Sequence, residues 1–183
     1  MGVGTRYPHI EKLLTQNHQA GRVLELGAGG AVYKDIFDDY VGTDLLGTNY
    51  YQEGDLSAFC DARYLPFKDN SFDLVFQIAS LCLIPKPERV CQETLRILRP
   101  GGKFIVFDYT LSTKEDLMRR HEANGDNLHM SFWKRSELCE LMLQSGYSSA
   151  NPLETKIHWK IISNLLPWIA DHKRHWLMVC GKK

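Results

Sequence analysis

The sequence lacks an excess of charge of either sign, because its 22 Lys and Arg balance its 22 Asp and Glu. A broad basic footprint for nucleic acid is therefore absent, although a local patch is compatible with that balance. No C-x-x-C pair occurs among the five cysteines, Cys60, Cys82, Cys91, Cys139 and Cys180. Their odd number and wide spacing argue against a disulfide framework or a zinc site, so no metal is expected. They read as small buried thiols in a reducing compartment. No apolar run reaches membrane-spanning length. Met1 to Arg6 shows no basic segment followed by an apolar one, so no signal peptide is expected. Internal repeats, low-complexity tracts and linkers are also missing. These absences leave a cytoplasmic enzyme or binding protein, with residues 1–183 as one domain.

What is present is an alternation of strand-like and helix-like segments. Ile10 to Asn17 reads as a short helix. Val23 to Leu26 reads as a strand that stops at Gly27, and Tyr40 to Asp44 as a second. Phe59 to Ala62 is a candidate third strand. Phe72 to Ala79 is a strongly apolar run behind the turn signal Asp69-Asn70-Ser71. Pro87 to Leu98 reads as a helix, with Val90, Cys91, Thr94, Leu95 and Leu98 at helical spacing. Lys103 to Asp108 is the next strand, Lys134 to Ser145 an amphipathic helix capped by Gly146, and His175 to Cys180 a last strand. Ser148 to Glu154 is a further strand candidate, while 111–130 reads as helix plus loop. Such alternation favours a parallel sheet covered on both faces, with ligands at the strand C-termini.

The most informative stretch is Glu25-Leu26-Gly27-Ala28-Gly29-Gly30-Ala31, after a strand and before an expected helix. Glycines there let the backbone turn sharply and approach a ligand. A tight strand-to-helix turn with no ligand has the same appearance. The third glycine of G-x-G-x-x-G would fall at Val32, so the dinucleotide pattern is not met. Glu25, inside the strand end, is unwelcoming to a pyrophosphate and suits a ligand carrying ammonium and sulfonium groups. Asp44 follows nineteen residues later, where a βαβ unit places a carboxylate against ribose hydroxyls. Asp61, before Ala62 and Leu65-Pro66-Phe67, is placed to accept from an exocyclic amine. Asp44 and Asp61 each have an alternative as a local turn cap.

Taken in order, Val23-Leu24-Glu25-Leu26-Gly27-Ala28-Gly29, Gly42-Thr43-Asp44, Asp61-Ala62, Ser71-Phe72-Asp73-Leu74-Val75 and Leu95-Arg96-Ile97-Leu98-Arg99-Pro100-Gly101-Gly102 resemble class I methyltransferases that depend on S-adenosylmethionine (SAM). The subgroup they are most similar to is methyltransferase type 11. The motifs span 21–108, about half the chain. The resemblance implies an α/β, Rossmann-like methyltransferase fold with a mostly parallel seven-stranded sheet, helices on both faces and an antiparallel last strand. It implies that Glu25, Gly27, Ala28 and Gly29 hold the methionine end of SAM. Asp44 would bind the ribose, with Leu45 packing on adenine. Asp61 and Ala62 would meet the adenine edge, and Gln77 would lie near the sulfonium. S-adenosylhomocysteine (SAH) would be the product.

The sequence departs from the family in leaving only sixteen residues between Asp44 and Asp61, so the intervening helix is short or missing. Cys82-Leu83 stands where relatives carry a His pair. No Asn-Pro-Pro-Tyr follows strand four, which argues against amino methylation of bases or glutamine. The implied function is methyl transfer to a small-molecule acceptor, with oxygen slightly favoured over nitrogen or carbon. A non-catalytic SAM-binding module and a protein or RNA methyltransferase are the alternatives. Asp108, Tyr109 and His129 are candidate bases; a turn cap, a pocket wall and a surface residue are the respective alternatives. Acceptor recognition is assigned to 111–132 and 152–170. Trp133, Trp159, Leu165, Leu166, Pro167 and Trp168 would line a pocket or lid, or else complete the core or bury a homodimer contact. Arg6 and Tyr7 are candidates to fold over SAM.

Overall fold

A computed structural model describes residues 6–18, 20–46, 56–109, 131–153 and 176–183. Seven strands form one sheet in the order β3-β2-β1-β4-β5-β7-β6. They are β1 (Arg22–Leu26), β2 (Asp39–Asp44), β3 (Ala58–Phe59), β4 (Phe72–Ile78), β5 (Leu98–Tyr109), β6 (Ser149–Pro152) and β7 (Trp176–Lys182). Pairing is parallel from β3 through β5, and β7 runs antiparallel to both β5 and β6. The mostly parallel sheet with an antiparallel last strand matches the sequence-level expectation.

The central strands are apolar on both sides because helices cover both faces. Along β1, Val23 joins one cluster and Leu24 the other. Helix α1 (Pro8–Asn17) buries Ile10, Leu13 and Leu14 against Val23, Leu74, Phe76, Ile105 and Phe107. Helices α2 (Pro87–Ile97) and α3 (Arg135–Gln144) bury Val90, Cys91, Ile97, Leu138 and Met142 on the opposite face, against Leu24, Val75, Phe104 and Val106. Pro opens α1 and α2, where its missing N–H costs no helical hydrogen bond. Among the described residues no helix is long and apolar enough to cross a membrane.

Four sequence expectations are corrected. The Gly-rich loop leads into turns and a three-residue 3-10 helix, Lys34–Ile36, and not into an α-helix. Only twelve residues, 27–38, connect β1 to β2, and they must also form the loop and return the chain to the start of β2. That is the lower limit for a crossover between parallel strands. The third strand is two residues long, starting one residue before the expected one and ending at Phe59, so Asp61 and Ala62 lie beyond it in a turn. The fifth strand begins at Leu98, with a register shift opposite Phe72 and Leu74 that absorbs Pro100-Gly101-Gly102. The strand candidate Ser148 to Glu154 is observed as Ser149–Pro152 in register with β7, with Ser148 and Leu153 N–H groups also donating to Lys182 and Met178 carbonyls; Glu154 lies outside the described residues. The helix-plus-loop assignment for 111–130 and the apolar run 157–169 lie outside the described residues.

Candidate functional site

The chain reverses direction across the sheet between β1 and β4, which lead to opposite sides of it. Loops diverge there, so an open parallel sheet has its ligand crevice at that point, beyond the strand C-termini. The loop after β1 and the loop after β4 border this point, and both carry unusual backbone. Gly27, Gly29 and Ala31 in the first, and Ala79 in the second, have positive φ values of 65°, 52°, 49° and 52°. Left-handed alanines cost energy that the surroundings must offset, and such residues concentrate at ligand sites.

Gly27 shows why this position needs glycine. A Cβ there would lie 2.6 Å from Ser80 Cβ, and the φ is left-handed. Ser80 Oγ itself donates to Gln77 Oε1 at 2.6 Å and lies 3.2 Å from the Leu26 carbonyl oxygen, which binds the two loops together. Gly27→Ala is expected to lower stability by about 2–4 kcal/mol, from left-handed strain plus the collision. A denaturant midpoint indistinguishable from that of the wild type would refute this.

Asp44 organises the loop. Its Oδ2 accepts the Gly29 N–H at 2.8 Å and its Oδ1 the Leu45 N–H at 2.7 Å. The Ala28 N–H is tied to the Thr43 carbonyl at 2.9 Å. A carboxylate has about four acceptor positions, of which the loop N–H groups among the described residues take two. Leu45 beside it is 50% exposed, an apolar surface next to those acceptors.

Glu25 sits opposite Gly42 of β2 and Phe76 of β4. Its side chain is buried and accepts a hydrogen bond from the Tyr40 hydroxyl. Burial pushes its pKa up to about 8; the Tyr40 hydrogen bond opposes that rise and the Asp44 charge adds to it. Asp44 lies two residues beyond Gly42, so both carboxylates belong to one face of the sheet. Gln77 pairs with Leu26 and projects from the other face. It is fully buried, and its Nε2 has no hydrogen-bond partner among the described residues. An unpaired buried amide donor costs on the order of 1–3 kcal/mol, so this edge has an unmet demand for an acceptor.

The remaining candidates are placed differently. Asp61 is gripped by Arg63, with Nη2 at 2.6 Å from Oδ2 and Nε at 2.9 Å from Oδ1. These bonds hold its carboxyl below the usual carboxylate range. Asp61 and Asp44 both flank Cys60, whose N–H donates to the Asp44 carbonyl at 2.9 Å. Ala62 packs against the core. Asp108 is fully buried, and its Oδ2 accepts the Cys82 N–H at 2.9 Å, the capping role that the sequence also allowed. Tyr109 ends β5, but its side chain and the whole of His129 lie outside the described residues. Trp133 is half-buried against the core. Arg6 and Tyr7 dock on the segment following the loop: Arg6 Nη1 meets Asp35 at 2.7 Å, and Tyr7 N–H donates to the Tyr33 hydroxyl at 2.9 Å. Sequence reasoning missed Tyr40, Ser80 and Arg63. For Tyr40 the signal was available, since Tyr40, Gly42 and Asp44 alternate onto one face opposite Glu25.

The strand order, the left-handed loop at the switch point and the acid at the end of β2 define a class I, Rossmann-like methyltransferase fold. Residues 24–106 match the model of a methyltransferase domain family, type 11. The sterol 4-C-methyltransferase of Caenorhabditis elegans is 35% identical over 119 residues, which are 57% of this chain and 33% of that protein. The demethylmenaquinone methyltransferase of Renibacterium salmoninarum is 29% identical over 82% of this chain and 65% of its own length. The chain thus spans about a third of the first relative and under two thirds of the second. The phosphoethanolamine N-methyltransferase 2 of Haemonchus contortus, solved with SAM, has the same fold, with a TM-score of 0.69. It is 18% identical, and the match covers all of this chain and 53% of that one.

Proposed function

We propose that the chain binds SAM at the β1–β4 switch point and transfers its methyl group to a small, largely apolar molecule. The observation that carries this reading is Asp44. Its carboxylate is pinned by two loop N–H groups beside an exposed Leu45 and a buried Glu25. Asp44 would accept the two ribose hydroxyls, and Leu45 would cover one adenine face. Glu25 would meet the ammonium, Gly27 to Gly29 would let the methionine arm pass close to the backbone, and Gln77 would donate from the opposite face. Asp61 would accept from the adenine amine while keeping its bond to Arg63, and Ala62 would offer its backbone to the ring. SAM supplies a methyl group on a positive sulfur, already primed for displacement. The protein's share is to align the acceptor and exclude water, and alignment alone supplies on the order of 7 kcal/mol or more.

The acceptor class is suggested by relatives named for a sterol and for demethylmenaquinone. Relatives are also named for carbon and nitrogen methylation, so the slight sequence-level preference for oxygen gains no support from them. The test is thermal unfolding with SAM, SAH and NAD. A ligand at about one hundred times its Kd stabilises by about 2.7 kcal/mol, roughly 5–10 °C for a chain of this size. SAM and SAH are expected to give that shift, and NAD none. Labelled SAM is then incubated with lipid and polar metabolite extracts, with incorporation expected in the lipid fraction. A shift with NAD alone would overturn the SAM reading. A SAM shift without transfer to any extract would make the chain a SAM-binding module.

A further inference from the structure

Tyr40 is a residue for which the SAM site as described has no use, yet its geometry is specific. It stands at the second position of β2, two residues before Gly42 on the same sheet face. Glu25 is the cross-strand partner of Gly42, not of Tyr40. The Tyr40 ring must therefore lean diagonally along the sheet to reach the carboxylate. It does so across the space that Gly42 leaves empty: a Cβ on Gly42 would lie 2.9 Å from the Tyr40 hydroxyl and 3.0 Å from Cε1. Phe37 stacks on the same ring, with centroids 6.3 Å apart and planes within 8° of parallel, which fixes the lean. The outcome is a hydroxyl donating to Glu25 Oε2 inside the apolar face lined by Phe37 and Phe76.

We propose that Tyr40 is a positioning residue for the Glu25 carboxylate, holding it aimed and ionisable for the ammonium group of the SAM methionine arm. This rests on the reading of Glu25 given above. An O–H donor inside an apolar pocket stabilises a carboxylate far more than a carboxylic acid. Without it, burial favours the protonated acid, which has no charge to offer an ammonium. Among the described residues, few other titratable groups act on Glu25. From β2 there is Asp44, which disfavours a second negative charge. From the turn after the loop there is Tyr33, which accepts the Tyr7 N–H and feels Arg6. From β4 the neighbour is Phe76, which does not titrate. Tyr40 is thus the donor among these groups that favours the charged form.

The experiment measures Kd for SAM, and for 5′-methylthioadenosine, from pH 6 to pH 9 with wild type, Tyr40→Phe, Gly42→Ala and Glu25→Gln. The nucleoside lacks the amino-acid arm and serves as the internal control. Tyr40→Phe is expected to weaken SAM binding about tenfold or more at pH 7, the scale of one hydrogen bond to a charge. The deficit should shrink as pH rises, because the acid then ionises without help. The ratio of the variant Kd to the wild-type Kd for SAM at each pH cancels the titration of SAM itself. Methylthioadenosine affinity should not change. Gly42→Ala, which displaces the Tyr40 hydroxyl by a different route, should reproduce the same profile. A deficit that is constant with pH, or equal for both ligands, would make Tyr40 merely structural and overturn the proposal. Glu25→Gln separates the two layers. If it binds SAM like the wild type at every pH, the reading of Glu25 itself fails. If it loses SAM while Tyr40→Phe tracks the wild type, only the role of Tyr40 fails.

Discussion

Glu25→Gln is expected to make the ligand-free protein more stable at pH 8 while removing its response to SAM. Burial raises the Glu25 pKa from 4.5 in the unfolded chain to about 8 in the folded one. Between those values the folded state holds a proton that the unfolded state has released. Stability therefore falls as pH rises through this window, and the full cost is present above the folded value. Gln carries no such proton and incurs no such loss. A shift of this size corresponds to a cost on the order of 3–5 kcal/mol at pH 8, or roughly 5–15 °C in Tm. At pH 4, below both values, the two proteins should melt together. The check is a Tm series for both proteins from pH 4 to pH 9. Parallel curves would show that the carboxyl is not held in its neutral form, whatever its part in binding. The opposed effects on stability and binding are those expected of a charge kept in an apolar face for a ligand to meet.

The second large effect is expected at Asp44. Asp44→Ala removes the acceptor for Gly29 N–H and Leu45 N–H and, on the proposed reading, for both ribose hydroxyls. Each hydrogen bond to a charged group is worth about 1.5–3 kcal/mol, so SAM affinity should fall by more than a factor of about one hundred. The ligand-free protein should lose much less, about 1–2 kcal/mol, because Gly29 is only half-buried and water replaces the lost acceptor. Isothermal titration and thermal unfolding read the two quantities separately. Methylthioadenosine retains the ribose and should weaken equally, in contrast to its indifference to Tyr40→Phe. An unchanged SAM affinity in Asp44→Ala would remove Asp44 from the site.

The parts of this site legible in the sequence are those whose signal is local. Glu25, Gly27 and Gly29 follow an apolar run and announce a strand that stops in a tight turn, and the structure bends as those glycines allow. Asp44 was placed by counting from the loop, and it meets that loop through Gly29. The α-helix expected after the loop does not form, because a glycine-rich turn carries no local signal of how many residues remain before the next strand. The connection available is twelve residues, and the chain spends them on turns. Asp61 was legible as an acid near the edge, but not its grip by Arg63, since a turn two residues long leaves no periodic trace.

By itself, the sequence determined the class of fold, the order of its motifs and which strand residues are buried. Those depend on runs and spacings along one segment, and burial on both faces leaves an unbroken apolar run as its mark. Only the tertiary structure decided the partners: Tyr40 on Glu25, Asp108 on the Cys82 N–H, and Ser80 joining the two loops at the switch point. Those depend on register between strands far apart in the chain. One residue of slip would turn Glu25 away from Gly42 and leave Tyr40 nothing to reach.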